Sequence, residues 1–155
     1  MKWIECLADL IFPRKCEICG RLLTGDERYI CEDCMEDMPL TYYWDWPENP
    51  AEKKLWVRTH LHRVIPLFFY TRESRYITLI HKIKYQGKAH LGHHMGVMLG
   101  ERLRGVLSDV DYVVPIPLHP IRRWRRGYNQ AEIIAGGVTE ALFGKDNVKR
   151  HLRTD

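Results

Sequence analysis

Four of the five cysteines in this chain stand in two C-x-x-C pairs, Cys16 with Cys19 and Cys31 with Cys34. A gap of two residues lets both thiolates of a pair reach one metal ion, and four thiolates in a tetrahedron suit Zn²⁺. Because such a closed site leaves no position for water or substrate, we expect one structural zinc ion per chain. An iron site of the rubredoxin type needs the same four ligands, so both metals stay open here.

The residues around the first pair fit this interpretation. Gly20 follows Cys19 directly, where the turn of a knuckle needs an unrestricted backbone. Arg14, Lys15 and Arg21 flank the pair, and we expect their charge to offset the net negative charge of a four-thiolate zinc site. The fifth cysteine, Cys6, falls in a short amphipathic helix predicted over residues 3–12, and we expect it to be inert.

A second group of chemically suitable residues lies between Pro117 and Gln130, where the sequence has several arginines and no acid. The arginines are Arg122, Arg123, Arg125 and Arg126. Such a cluster favours a polyanionic ligand, either a phosphate ester or a nucleic-acid backbone, and the arginine fork matches two phosphate oxygens at once. On charge alone, a solvated basic loop without a ligand is an equally good interpretation.

Hydrophobic patterning indicates which elements position these residues. The predicted order is a strand over 63–70, helices over 74–85 and 90–103, a buried strand over 111–117, an arginine-rich loop, and a helix that begins at Asn129. This alternation predicts an α/β fold with a parallel sheet. Ligands of such folds bind beyond the carboxyl ends of the strands, and Asn129 is suited to cap the helix that follows the loop.

The two cysteine pairs, the Lys84-Tyr85-x-Gly87 segment and the VPIPLH…RRGYNQAE segment together resemble the ComF family of phosphoribosyltransferase-like proteins. The resemblance implies an N-terminal zinc ribbon or knuckle module followed by the first part of a type I phosphoribosyltransferase-like parallel-sheet domain. It also implies that the arginine loop recognises pyrophosphate, with Arg126, Asn129 and Gln130 at the motif positions. Phosphoribosyl pyrophosphate is then the implied ligand, and Lys84 and Tyr85 would line its cleft.

The sequence departs from that family in one respect. Nothing in it resembles the Asp-Asp-x-x-Thr-Thr-Gly turn that holds the 5′-phosphate in these enzymes. We therefore predict no catalytic residue, and we expect no phosphoribosyl transfer by this chain alone. The expected explanations are a truncated protein, a fragment, or a sheet that a second chain completes.

The predicted organisation is a zinc module with its leading helix over 1–40, an aromatic connector over 41–62 and a partial phosphoribosyltransferase-like domain over 63–155. The 155 residues are 45% hydrophobic and 28% charged with a net charge of +4, which is typical of a globular protein. No signal peptide or membrane span is recognisable, so we expect a cytoplasmic location without membrane insertion.

Two functions remain at this point. One is a ComF-like role in DNA uptake during natural transformation or in nucleotide salvage, with a protein partner in the uptake machinery. The other is a non-catalytic accessory factor that binds single-stranded DNA, and an inactive fragment is the remaining alternative. The residues predicted to contact phosphate or nucleic acid are Lys84, Tyr85, Arg122, Arg123, Arg125, Arg126, Asn129 and Gln130.

Overall fold

The computed structural model describes residues 13–59 and 61–154. Its α-helices in chain order are α1 Glu32–Glu36, α2 Pro50–Trp56, α3 Ile77–Tyr85, α4 Ala89–Leu103, α5 Pro120–Arg126, α6 Gln130–Phe143 and α7 Val148–His151, with a 3₁₀ turn at Lys145–Asn147. The helix predicted over 3–12 lies outside the described residues, and so does Cys6. Among the described helices, none combines the length and the apolar composition that crossing a bilayer would require.

The predicted parallel-sheet α/β domain is wrong, because the described part of the chain is helical and contains no β-sheet. The two segments expected to be strands form only isolated bridges. Phe68 pairs with Leu40 in an antiparallel bridge, and Val113 pairs with Leu152 in a parallel one. The predicted zinc module, in contrast, is present.

Proline and solvent exposure explain why neither segment enters a sheet. Pro66 in the first segment and Pro115 and Pro117 in the second lack the N–H group that a ladder requires. The second segment is also not buried, since Val114 is 67% exposed and Ile116 is 80% exposed. A parallel strand is stable when neighbours cover it on both faces. Here Val113 pairs with Leu152 and packs against the apolar cluster, but the residues that follow it stay exposed.

The three predicted longer helices are confirmed as α3, α4 and α6, although α3 begins at Ile77 rather than at residue 74. The predicted arginine loop is wrong, because its residues form α5. Pro120 occupies the first turn of α5, where its missing N–H costs nothing, and Gly127 ends the helix with φ +79°. The Nδ1 atom of His119 accepts a hydrogen bond from the N–H of Ile121 and caps the start of α5.

The chain divides into two compact units. The first consists of the residues up to Pro39 together with Tyr70–Ile80, and the second consists of Leu40–Phe69 together with His81–Asp155. The predicted boundaries after residues 40 and 62 stay a prediction. The interior of the first unit contains the buried side chains Cys16, Leu23, Ile30, Cys31, Cys34, Met38, Tyr76 and Leu79.

In the second unit, α4 and α6 approach each other so closely that glycine is required at the contact. A Cβ atom on Gly96 would overlap the carbonyl oxygen of Ile134, and one on Gly137 would overlap the carbonyl oxygen of His93. The backbones of the two helices therefore touch. Beside this contact, Trp44, Leu103 and Val138 form a buried apolar cluster.

A buried polar cluster fixes the segment predicted as an aromatic connector. The side chain of Asn49 accepts hydrogen bonds from the first turn of α2. The Oε1 atom of Glu52 accepts hydrogen bonds from the Arg63 Nε at 2.9 Å and from the backbone N–H of Val64 at 3.1 Å. Arg63 in turn donates to the carbonyl oxygens of Tyr43 and Trp44. These bonds satisfy the Oε1 atom of Glu52 and pair its charge with Arg63, whereas its Oε2 atom is buried without a hydrogen-bond partner.

Candidate metal centre and basic cleft

The four predicted thiol ligands are brought together in the first unit. Their sulfur atoms all lie within 4.8 Å of one another, and the Sγ atoms of Cys19 and Cys31 are 3.6 Å apart. Zinc–sulfur bonds of about 2.3 Å in a tetrahedron place neighbouring sulfurs roughly 3.8 Å apart, so the observed cluster has the size of a four-thiolate zinc site. Cys16, Cys31 and Cys34 are buried, and Cys19 is exposed.

The first knuckle is held by its own backbone. The N–H of Gly20 donates to the carbonyl oxygen of Cys16 at 3.0 Å, and the N–H of Cys16 donates to the carbonyl oxygen of Arg21 at 2.7 Å. Gly20 has φ +77°, a conformation that side-chain-bearing residues rarely adopt. The Cys16 sulfur accepts from the N–H groups of Ile18 and Cys31, each at 3.4 Å.

These contacts give the cysteines different acidities. Burial opposes ionisation of Cys16, but the backbone N–H groups of Cys19, Cys31 and Ile18 outweigh this effect and lower the pKa of Cys16 to about 6. Burial raises the pKa of Cys31, and burial together with the neighbouring thiols raises that of Cys34. The charge of a bound metal ion removes such protons, so metal binding to this cluster releases protons and depends on pH.

The loop between the two pairs is organised by Glu27, which the sequence analysis did not single out. The carboxylate of Glu27 accepts from the backbone N–H of Thr24 at 2.7 Å and from that of Glu32 at 2.8 Å. These two bonds hold the pKa of Glu27 below its ordinary value. Arg21 donates to Glu27 at 3.0 Å and pairs with Asp33 at 2.8 Å. The positive charge of Arg21, which we expected to offset the thiolates, is therefore also paired with the carboxylates of Glu27 and Asp33.

A distant segment completes the metal-binding unit. Tyr76 is 5% exposed, and its hydroxyl donates a hydrogen bond to the carbonyl oxygen of Cys34 at 3.1 Å. Arg75 lies over the ring of Tyr76 and pairs with Asp37 at 2.6 Å. Sequence reasoning missed these residues, because nothing local marks a tyrosine that contacts a cysteine 42 positions earlier.

The second unit contains a basic cleft of about 480 Å³. Its lining residues are Lys84, Tyr85, Gly87, Arg122, Arg125 and Arg126. The three arginines follow the i, i+3, i+4 spacing of one helical face on α5. No acidic residue is among those that line the cleft. Five of the predicted contact residues are thus brought together.

Arg126 is held in position from two sides. Its guanidinium group lies 5.3 Å from the centre of the Tyr85 ring, and its Nη1 atom donates to the Oε1 atom of Gln130 at 2.8 Å. The predicted residue Gln130 therefore orients an arginine of the cleft. Such fixation reduces the rotamer entropy that the arginine would lose when it binds an anion.

Two predicted contact residues have other partners. The guanidinium of Arg123 lies 3.9 Å from the Glu132 carboxylate, and Arg123 is not among the residues that line the cleft. Asn129 is buried, accepts from the N–H of Ala131 at 3.1 Å and donates to the carbonyl oxygen of Ile116 at 3.2 Å. Asn129 therefore caps α6 and fixes the preceding segment.

Comparison with known proteins supports the metal site. Residues 7–43 match the family model of the double zinc ribbon domain, and this stretch contains the four clustered cysteines and no histidine. No curated protein and no solved structure matches the chain. The sulfur geometry and the similarity to the double zinc ribbon domain together identify a zinc-binding module built on Cys16, Cys19, Cys31 and Cys34.

Proposed function

We propose that this zinc-binding protein binds single-stranded nucleic acid through the basic cleft. The supporting observation is the convergence of four cationic side chains, Lys84, Arg122, Arg125 and Arg126, on one opening without an acidic neighbour in its lining. Phosphate contacts supply most of the affinity of sequence-independent nucleic-acid binding. The exposed ring of Tyr85 beside these cations adds a surface on which a base can stack.

The resemblance to the ComF family extends this proposal. It supports a cytoplasmic role in the handling of DNA during natural transformation, with a partner in the DNA-uptake machinery, or in nucleotide salvage. In both roles the zinc module is structural. Any chemistry is left to the second unit or to a partner.

Phosphoribosyl pyrophosphate is the second candidate ligand. The volume of the cleft, about 480 Å³, falls within the range of roughly 300–1,000 Å³ that is typical of small-molecule sites. A pyrophosphate group would meet the same cations. The two candidates differ in the salt dependence of binding, since a polymer displaces many more counterions than a small ligand does.

Fluorescence anisotropy with a labelled single-stranded oligonucleotide tests the proposal. The logarithm of the binding constant should fall with the logarithm of salt concentration, with a slope of about −0.7 for each phosphate neutralised. Replacing Arg126 by Ala should weaken binding by about tenfold to a hundredfold, since a hydrogen bond to a charged group contributes about 1.5–3 kcal/mol.

Arg123 is the matched control, because it lies on the same helix but pairs with Glu132. The Arg123→Ala variant should retain affinity to within about twofold. Equal weakening by the two substitutions would indicate a general charge effect and would remove the cleft as the site. Binding of phosphoribosyl pyrophosphate, followed as a rise in Tm by linkage, without binding of the oligonucleotide would favour the second candidate.

A further inference from the structure

A second, more apolar groove adjoins the basic cleft on α5. It encloses about 860 Å³, and Arg122 and Arg125 line both the cleft and the groove. The apolar wall of the groove includes Ile116, which is 80% exposed, and Ile121, which is 63% exposed. Gln130 contributes an amide group to the same groove.

The shared arginines link the chemistry of the two openings. When Arg122 or Arg125 binds the phosphate of a ligand, the rest of that ligand lies at the boundary of the apolar groove. A nucleobase matches that surface, because it is planar, its faces pack on apolar side chains and arginine planes, and its edge forms hydrogen bonds with amides. The exposed isoleucines would then be covered by the ligand.

We infer that this groove receives the base of a nucleotide unit whose phosphate is bound in the basic cleft. The inference rests on the proposed function and specifies how it operates: the protein contacts bases as well as the phosphate backbone.

Two aromatic residues of the arginine-rich segment are the competing base platforms. Tyr128 is half-buried, and its hydroxyl donates to the carbonyl oxygen of Ile83, which restrains the ring. Trp124 is 85% exposed but is not among the residues that line the cleft or the groove. Tyr85 lines the basic cleft itself, and the Arg126 guanidinium already lies over its ring. The groove is therefore the larger uncovered surface beside the cations for a base to fill.

Two fluorescent oligomers of equal length and charge separate base contacts from phosphate contacts. One is oligothymidylate, and the other is an abasic oligomer with the same backbone. The full chain should bind oligothymidylate about tenfold more tightly than the abasic oligomer. The Ile121→Gln and Ile116→Thr variants should reduce this ratio severalfold while leaving the affinity for the abasic oligomer unchanged.

Trp124→Gln is the matched control, since it removes an exposed apolar side chain from the same helix, and it should preserve the tenfold ratio. Circular dichroism and zinc content verify that each variant is folded. A ratio near one in the unmodified chain, or a ratio abolished by Trp124→Gln and not by Ile121→Gln, overturns the inference while the proposed function stands. Failure of both oligomers to bind overturns the proposed function and this inference with it.

Discussion

The hydroxyl of Tyr76 donates a hydrogen bond to the backbone carbonyl oxygen of Cys34 across 3.1 Å, and both residues are almost fully buried. Cys34 is one of the four thiol ligands, so the bond fixes the backbone from which a ligand projects. Loss of a group that orients a metal ligand typically weakens metal binding by about 10- to 100-fold.

Replacing Tyr76 by Phe should therefore loosen the metal site without removing a ligand. The unpaired carbonyl oxygen of Cys34 should cost about 1–3 kcal/mol of stability, and zinc transfer to a chelator should be faster. Thermal unfolding and a colorimetric zinc-release assay measure the two effects. Tyr70→Phe is the control, because Tyr70 is 59% exposed, and equal behaviour of the two variants would contradict the assigned role.

Removal of zinc should unfold the first unit. Small four-cysteine modules derive much of their folding free energy from the metal. Excess chelator should therefore release one zinc ion per chain, and it should remove the contribution of the buried Tyr76 ring to the near-ultraviolet circular dichroism. Cys34→Ser should have the same effect, and Cys6→Ser should retain the metal. Elemental analysis that finds iron, or a well-folded protein without metal, would contradict the expectation.

The Glu52–Arg63 pair should make stability depend on acid pH. The N–H of Val64 and the guanidinium of Arg63 outweigh the effect of burial and lower the pKa of Glu52 below its ordinary value of 4.5. Since the folded pKa is the lower one, this stabilisation is present above the unfolded pKa and is lost as the pH falls through the folded pKa.

The Glu52→Gln variant should consequently lose about 1–3 kcal/mol at pH 7 and should approach the unmodified protein below the folded pKa. Urea unfolding at a series of pH values measures this convergence. Glu101→Gln, at an exposed position of α4, should leave the curve unchanged. A constant difference between Glu52→Gln and the unmodified chain at all pH values would exclude titration of Glu52 as the cause.

Adjacent glycines of α6 should respond in opposite directions to the same substitution. Gly137→Ala places a methyl group against the backbone of α4 and should destabilise the second unit by about 1–3 kcal/mol. At Gly136 the nearest atom is 3.9 Å from the added Cβ, so Gly136→Ala should stabilise α6 by about 0.5–1 kcal/mol. The unfolding temperatures of both variants test whether the backbones of α4 and α6 touch at Gly137.

The features that sequence alone predicted are those encoded over short distances. The spacing of Cys16 and Cys19 is set within one turn, and the apolar periodicity of α4 and α6 lies within each helix. The role of Tyr76 is a long-range contact that no local pattern records. The segment around Val114 has the composition of a buried strand, but a strand also needs continuous partners, and in the described residues the pairing of this segment is limited to one isolated bridge between Val113 and Leu152.

The arginine-rich segment was mispredicted for a different reason. Its charge indicated a loop, although Pro120 and Gly127 stand where a short helix begins and ends. Helix formation decides which arginines line the cleft: Arg126 lines it, and Arg123 does not. Residue types alone predicted the chemistry of the cluster, and the helix determined which of its members share a surface.

The first unit is discontinuous, and this has a consequence for how the chain matures during its synthesis. All four metal-binding thiols leave the ribosome before Tyr76 does. The nascent chain can therefore acquire its metal before the hydrogen bond from the Tyr76 hydroxyl to the Cys34 carbonyl oxygen has formed. Folding of the first unit is then completed only when Tyr70–Ile80 emerges. For the same reason, a cut after residue 40 would give a peptide with every ligand but without the segment that encloses them.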